Sequence, residues 1–170
     1  MATVRVPGGA VPQAGAGQRG PTSADIAAAL HRGGAHFAAR RFKEAEEMAR
    51  LVLRFEPQQP DALHLLGLVV MAGGKAAEAE RLMLQALKKS GPHVVLLVNL
   101  GNAARAQKKV EKALKYYDQA EALNPNHEDI YIERGILLTT NLRYAEAAAT
   151  FDQAIALNPT NVAAYSGASD

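Results

Sequence analysis

The chain has 170 residues, no cysteine and a net charge of +2. It therefore has no disulfide framework and no cysteine-based metal or nucleophile site, and too little charge to demand a polyanionic partner. Apolar residues make up 48% of it, aromatic residues only 5%, and tryptophan is absent. A core must then be packed largely with alanine and aliphatic side chains, as closely stacked helices require; no strand-like alternation appears, and an all-α protein is expected.

Residues 1–22 are rich in Gly, Pro, Ala and Gln, with Pro7-Gly8-Gly9 and Arg19-Gly20-Pro21 as breakers. The segment reads as a disordered tail. It lacks the apolar core of a secretory signal, and no apolar run in the chain approaches the ~18 residues of a membrane span. No membrane association and a cytoplasmic location are the default expectations.

Thr22, Ser23 or Asp25 can cap a first helix that runs to about Ala39 and turns at Arg40-Arg41. Its partner covers roughly 43–55. Further helix pairs are expected near 61–72 and 76–89, separated by Gly73-Gly74; near 94–107 and 110–122; and near 128–140 and 144–156. Glu56-Pro57, Ser90-Gly91-Pro92, Asn124-Pro125 and Asn158-Pro159 end the second helices, because proline lacks the amide hydrogen and disfavours helical geometry in its predecessor.

These pairs share one period of 34 residues. Gly33, Gly67, Gly101 and Gly135 are evenly spaced, and Ala45, Ala79, Ala113 and Ala147 follow twelve behind. Glycine inside a helix costs ~1 kcal/mol against alanine, tolerable where the second helix must approach the first closely. Met83, Tyr117 and Phe151 are large and fill the next layer. A fixed period of this length marks a repeat protein.

Two units carry the motif most fully. One reads Leu97-Val98-Asn99-Leu100-Gly101, then Ala113 and Tyr117, then Asn124-Pro125. The other reads Tyr131-Ile132-Glu133-Arg134-Gly135, then Ala147 and Phe151, then Asn158-Pro159. The chain thus resembles the tetratricopeptide repeat family in four units, 26–59, 60–93, 94–127 and 128–161, together 136 residues, with the first unit the weakest. The resemblance implies a right-handed α-solenoid over 23–161. Val162-Ala163-Ala164-Tyr165, within 162–170, looks like the start of a fifth unit, and its register favours a fragment of a longer array over an end covered by another chain.

The resemblance also implies a concave groove lined by first helices. Its side chains would come from Leu30, Gly34 and Phe37; Asp61, His64, Leu65, Leu68 and Met71; Val95, Val98, Asn99, Asn102 and Arg105; and Asp129, Ile132, Glu133 and Ile136. An extended peptide or partner helix would dock apolar anchors at Leu30, Phe37, Leu68 and Met71. Asn99 and Asn102 would hold its backbone, because an amide offers donor and acceptor together. Asp129 and Glu133 would favour a basic residue on the partner.

Charge follows the same polarity: repeats one to three carry +2, +1 and +2, and repeat four −3. The Lys108, Lys109, Lys112 and Lys115 cluster reads as a solvated outer face, with Glu111 paired to Lys115, and not as a nucleic-acid surface, since no aromatics interleave it. The basic clamp that some family members use for acidic tails is missing, and the asparagine ladder of O-GlcNAc transferase repeats is represented once, by Asn99. No metal-ligand spacing, phosphate loop or G-x-S-x-G elbow is present, so no cofactor, metal or catalytic residue is expected. The expected function is a non-catalytic protein-interaction scaffold. Two alternatives stand beside it: the targeting array of a larger bacterial glycosyltransferase- or sulfotransferase-like enzyme, and a self-assembling adaptor that pairs through an uncapped C-terminal end.

Overall fold

The computed structural model describes residues 20–160. The expected features at 1–19 and 162–170 lie outside them. Eight helices follow in order: α1 (Ser23–Ala38), α2 (Phe42–Phe55), α3 (Pro60–Ala72), α4 (Ala76–Ser90), α5 (Val94–Ala106), α6 (Val110–Leu123), α7 (Glu128–Thr140) and α8 (Tyr144–Leu157). They are the four expected pairs. Of the three candidate caps, Thr22 is used: its Oγ1 accepts from the Asp25 N–H at 3.2 Å, while the Asp25 carboxylate accepts from the Thr22 N–H at 2.8 Å. α4 runs one residue beyond the other second helices because Gly91, not proline, follows it. Gly91 has φ 76° and ψ 175°, backbone that only glycine adopts readily.

Each helix packs on its partner, α1 to α6 also pack on the next repeat, and α1, α3, α5 and α7 touch one another in sequence. Among the described helices the even-numbered ones touch only the odd-numbered helices beside them. The odd helices are thus the crowded inner layer of a curved array, and the even helices the spread outer one.

The core is a chain of clusters that bridge successive repeats. Ile26, Ala29, Val52 and Ala62 form one. Ala49, Leu63, Leu66, Met83, Leu96 and Leu100 belong to the next. Leu97, Tyr117, Ile130, Leu137 and Ala154 continue it, and Leu138, Ala147 and Phe151 close the described part. Tyr117, Phe151 and Met83 are the largest fully buried side chains. Each stands against the glycine of its own first helix: an added Cβ would lie 2.9 Å from Met83 Cγ at Gly67 and 2.6 Å from the Phe151 ring at Gly135, and would run into the Tyr117 ring at Gly101. In the first unit Ala49 holds the large-residue position, and Leu65 and Met48 crowd Gly33 instead.

The turns within repeats share a feature the sequence reading did not mark. Arg40, Gly74, Lys108 and Leu142, again 34 apart, all have positive φ, at 58°, 81°, 60° and 61°. Each ends its first helix in the same way. At Arg40, its N–H donates to Phe37 O and the Arg41 N–H to His36 O, both at 2.9 Å. Those two bonds satisfy helix-end carbonyls and require the left-handed residue between them.

Candidate functional site

The inner layer places most of the expected lining on one face, but not all. Leu30, Phe37, Leu68 and Met71 are half-buried, each packed along one side against the clusters beneath. Phe37 also stacks on Phe42, with centroids 5.5 Å apart. Val98 and Ile132 correct the sequence reading. They are 6% and 8% exposed, inside the third cluster, and pack in the core without offering side chains to a ligand. Leu65 is buried likewise. The reason is helix rotation: these aliphatic positions face the seam between neighbouring first helices, where burial of a large aliphatic side chain stabilises by ~1.5–3 kcal/mol.

The polar residues form bridges along the inner row. His64 Nε2 of α3 lies 2.9 Å from Asn99 Nδ2 of α5. Burial, aided by the neighbouring His93, lowers the His64 pKa to about 4, against a smaller opposing effect of Asp61. The ring is therefore neutral near pH 7, and its Nε2 accepts from the Asn99 amide. One repeat on, Arg105 of α5 pairs with Glu133 of α7 at 3.1 Å. Between them the Tyr117 hydroxyl donates to Asn102 Oδ1 at 2.7 Å. Burial first, then the Glu133 carboxylate, raises the Tyr117 pKa well above its usual value, so the hydroxyl stays protonated.

This arrangement changes the electrostatics that composition suggested. Glu133 is engaged by Arg105, so the acidic character of the C-terminal half of the inner layer rests on exposed Asp129. Asn99 and Asn102 each commit one half of the amide. Among the described residues Asn99 Oδ1 and Asn102 Nδ2 have no protein partner. They leave one acceptor and one donor one turn apart on α5. The pairings could not be read from spacing within one helix, since they join residues 15, 28 and 35 apart on different helices. The repeat register was the available signal, as it brings equivalent positions of successive first helices side by side.

The lysine cluster on the outer layer also differs from expectation. Glu80 of α4 is only 5% exposed, and it draws in Lys112 and, at 3.5 Å, Lys109. Gln107 Nε2 donates to it at 2.8 Å. Burial alone would raise the Glu80 pKa, but hydrogen bonds from Lys112 and Gln107 and the two ammonium charges hold it below its usual value. Glu111 points elsewhere, 3.8 Å from Arg143 of the next repeat, and not to Lys115. Two of the four lysines thus join repeats two and three. Among the described residues no group of three or more His, Cys, Asp or Glu side chains is placed to hold a metal, and no helix is long and apolar enough to cross a membrane.

Comparison with known proteins agrees with this architecture. The sequence profile described as tetratricopeptide repeat matches three overlapping spans, 32–95, 64–128 and 98–162. The human Cell division cycle protein 16 homolog is 34% identical over 104 residues, covering 56% of this chain and 17% of that protein. The UDP-N-acetylglucosamine--peptide N-acetylglucosaminyltransferase of Giardia intestinalis is 27% identical over 96 residues, covering 56% of this chain and 6% of the enzyme. The chain therefore spans less than a fifth of the length of these relatives. Among solved structures, pilF of Pseudomonas aeruginosa superposes with a TM-score of 0.75 at 20% identity, over 84% of this chain and 65% of pilF. YrrB, described as a TPR protein with an unusual peptide-binding site, superposes with a TM-score of 0.65 at 19% identity, over 85% of this chain and 74% of YrrB. At these identities the structural likeness carries the fold alone.

Proposed function

We propose that this chain, which belongs to the tetratricopeptide repeat family, binds an extended peptide or a partner helix in its concave face. A chain of this family is a protein-interaction scaffold, and its fold is generally non-catalytic. The finer reading rests on one observation, the row of half-buried Leu30, Phe37, Leu68 and Met71 that continues into Asn99 and Asn102 with their uncommitted acceptor and donor. Apolar side chains of the partner would seat against the first four. Asn99 Oδ1 would accept a backbone N–H, and Asn102 Nδ2 would donate to a carbonyl. Asp129 favours a basic side chain at the far end. Because the bridges fix the lining in advance, the scaffold loses little entropy on binding.

The test is capture from a lysate with the intact protein and a Leu68→Glu/Met71→Glu variant, with partner identities read by mass spectrometry and binding repeated with the purified partner. Loss of a partner from a variant of unchanged helicity supports the groove. An identical partner set in both samples removes it.

A second reading, an array that serves a larger enzyme, is favoured by the match to the Giardia intestinalis transferase. Leu65 and Glu133 flank Asn99 in the register and weaken it. The length of the full gene separates the two.

A further inference from the structure

One register position of the first helices reads, in chain order, Arg32, Leu66, Leu100 and Arg134. What stands there follows the helix it packs on. Leu100 packs in the cluster that Leu87 of α4 covers, and Leu66 lies beside Leu53 of α2. Arg134 faces α6, where the same surface carries Asp118 and Glu121. Its Nη2 lies 2.9 Å from Asp118 and its Nη1 2.8 Å from Glu121, with the side chain only 13% exposed. Leucine thus stands beside Leu53, with Arg50 and Arg54 nearby, or in the cluster that Leu87 covers, whereas two carboxylates three residues apart, on one helix face, meet arginine.

Arg32 holds this position on α1, which no described helix precedes. It is exposed and has no carboxylate partner among the described residues. Beside it Ile26, Ala29, Val52 and Phe55 line a shallow apolar depression, with Phe55 55% exposed. The depression exists because Ala29 stands where the later repeats have Leu63, Leu97 and Tyr131. Asp25 also borders it, but its carboxylate is occupied by the Thr22 cap.

We propose that this N-terminal face of α1 receives an amphipathic helix of a partner protein, one that presents two carboxylates at i and i+3 to Arg32 and an apolar side chain to the depression beside Phe55. The α6–α7 junction is the template for the contact, and the site is independent of the concave groove.

The probe is a labelled, side-chain-stapled helical peptide with the α6 sequence Val110–Leu123, titrated into the full chain by fluorescence anisotropy. Saturable binding is expected, weakened about 30-fold by Arg32→Glu, the lower range for loss of one partner of a buried charge pair. A probe with Asp118→Lys and Glu121→Lys should regain affinity for the Arg32→Glu protein. That rescue cannot come from misfolding. Absence of binding, equal binding to Arg32→Glu, or no rescue overturns the proposal. So does loss confined to Leu68→Glu/Met71→Glu, which would put the peptide in the groove, or binding seen only after deletion of residues 1–19, which would give the face to the chain's own N-terminal segment.

Discussion

Gly101 lies directly beneath the ring of Tyr117, so that a methyl group on its Cα would fall 2.8 Å from both Cδ1 and Cζ of that ring. The two helices leave no room there for a side chain on the first. Alanine would gain ~1 kcal/mol of helix propensity, but overpacking a rigid ring costs ~1–3 kcal/mol. Gly101→Ala is expected to lower stability by a net ~0–2 kcal/mol, measured by chemical denaturation. Gly67→Ala should be milder, because the crowding atoms belong to flexible Met83. Tyr117→Leu in the Gly101→Ala background should cost less than in the wild type. Additive losses would mean that the two positions do not press on each other.

Leu142 is 73% exposed and has φ 61°, in the same left-handed turn position that Gly74 occupies in the second repeat. A leucine there meets a Cβ–carbonyl clash worth ~1–2 kcal/mol that glycine avoids. Part of the gain is lost, because glycine is freer in the unfolded chain. Leu142→Gly should therefore raise stability by a net ~0.5–1 kcal/mol, and Gly74→Leu should lower it. A melting temperature for Leu142→Gly below that of the wild type would show that the exposed leucine makes a contact worth more than its strain.

The architecture was open to reading from the sequence because repetition multiplies weak signals. One glycine in a helix says little, but Gly33, Gly67, Gly101 and Gly135 in register with Ala45, Ala79, Ala113 and Ala147 fix the helix pairs and their contact. The left-handed turns were legible by the same rule and were overlooked, since only Gly74 carries the usual residue. The lining was half legible. Register placed Leu68 and Asn99 on the inner layer, but the rotation that buries Val98 and Ile132 depends on how far neighbouring helices approach. The pairing of Arg105 with Glu133, and of Glu80 with Lys112, arises between repeats, where a pattern within one helix carries no information.

Glu80 and Lys112 differ in burial, and that decides which substitution harms more. The carboxylate side chain is 7% exposed and the lysine 44%. Removing Lys112 leaves a buried charge with Gln107 and the more distant Lys109. Removing Glu80 lets both ammonium groups turn to water. Lys112→Met is expected to cost ~2 kcal/mol or more, and Glu80→Leu ~1 kcal/mol or less. Denaturation of both variants at neutral pH checks the order. If Glu80→Leu proves the more damaging, the carboxylate contributes net stability and is not merely tolerated.

His64 gives the junction of repeats two and three a pH dependence. Its folded pKa of about 4 lies below the ordinary imidazole value of 6.5. Between those values the unfolded chain binds a proton that the folded chain does not, so stability falls as pH falls through this window and is complete above it. Asp61 and His93 are the titratable groups that act on it, and Asn99 is its bonded neighbour. Protonation would also turn Nε2 from acceptor to donor, against an amide that already donates. At 1.36 kcal/mol per unit the loss reaches roughly 2–3 kcal/mol by pH 4. The carboxylates held low, such as Glu80, contribute their own loss only below their unfolded values near 4.5. Stability of wild type and His64→Gln, measured from pH 7 to 4, should diverge below pH 6.5, with the variant the flatter curve. Parallel curves would show that His64 protonates freely in the folded array, and the His64–Asn99 bond would then not fix the tautomer.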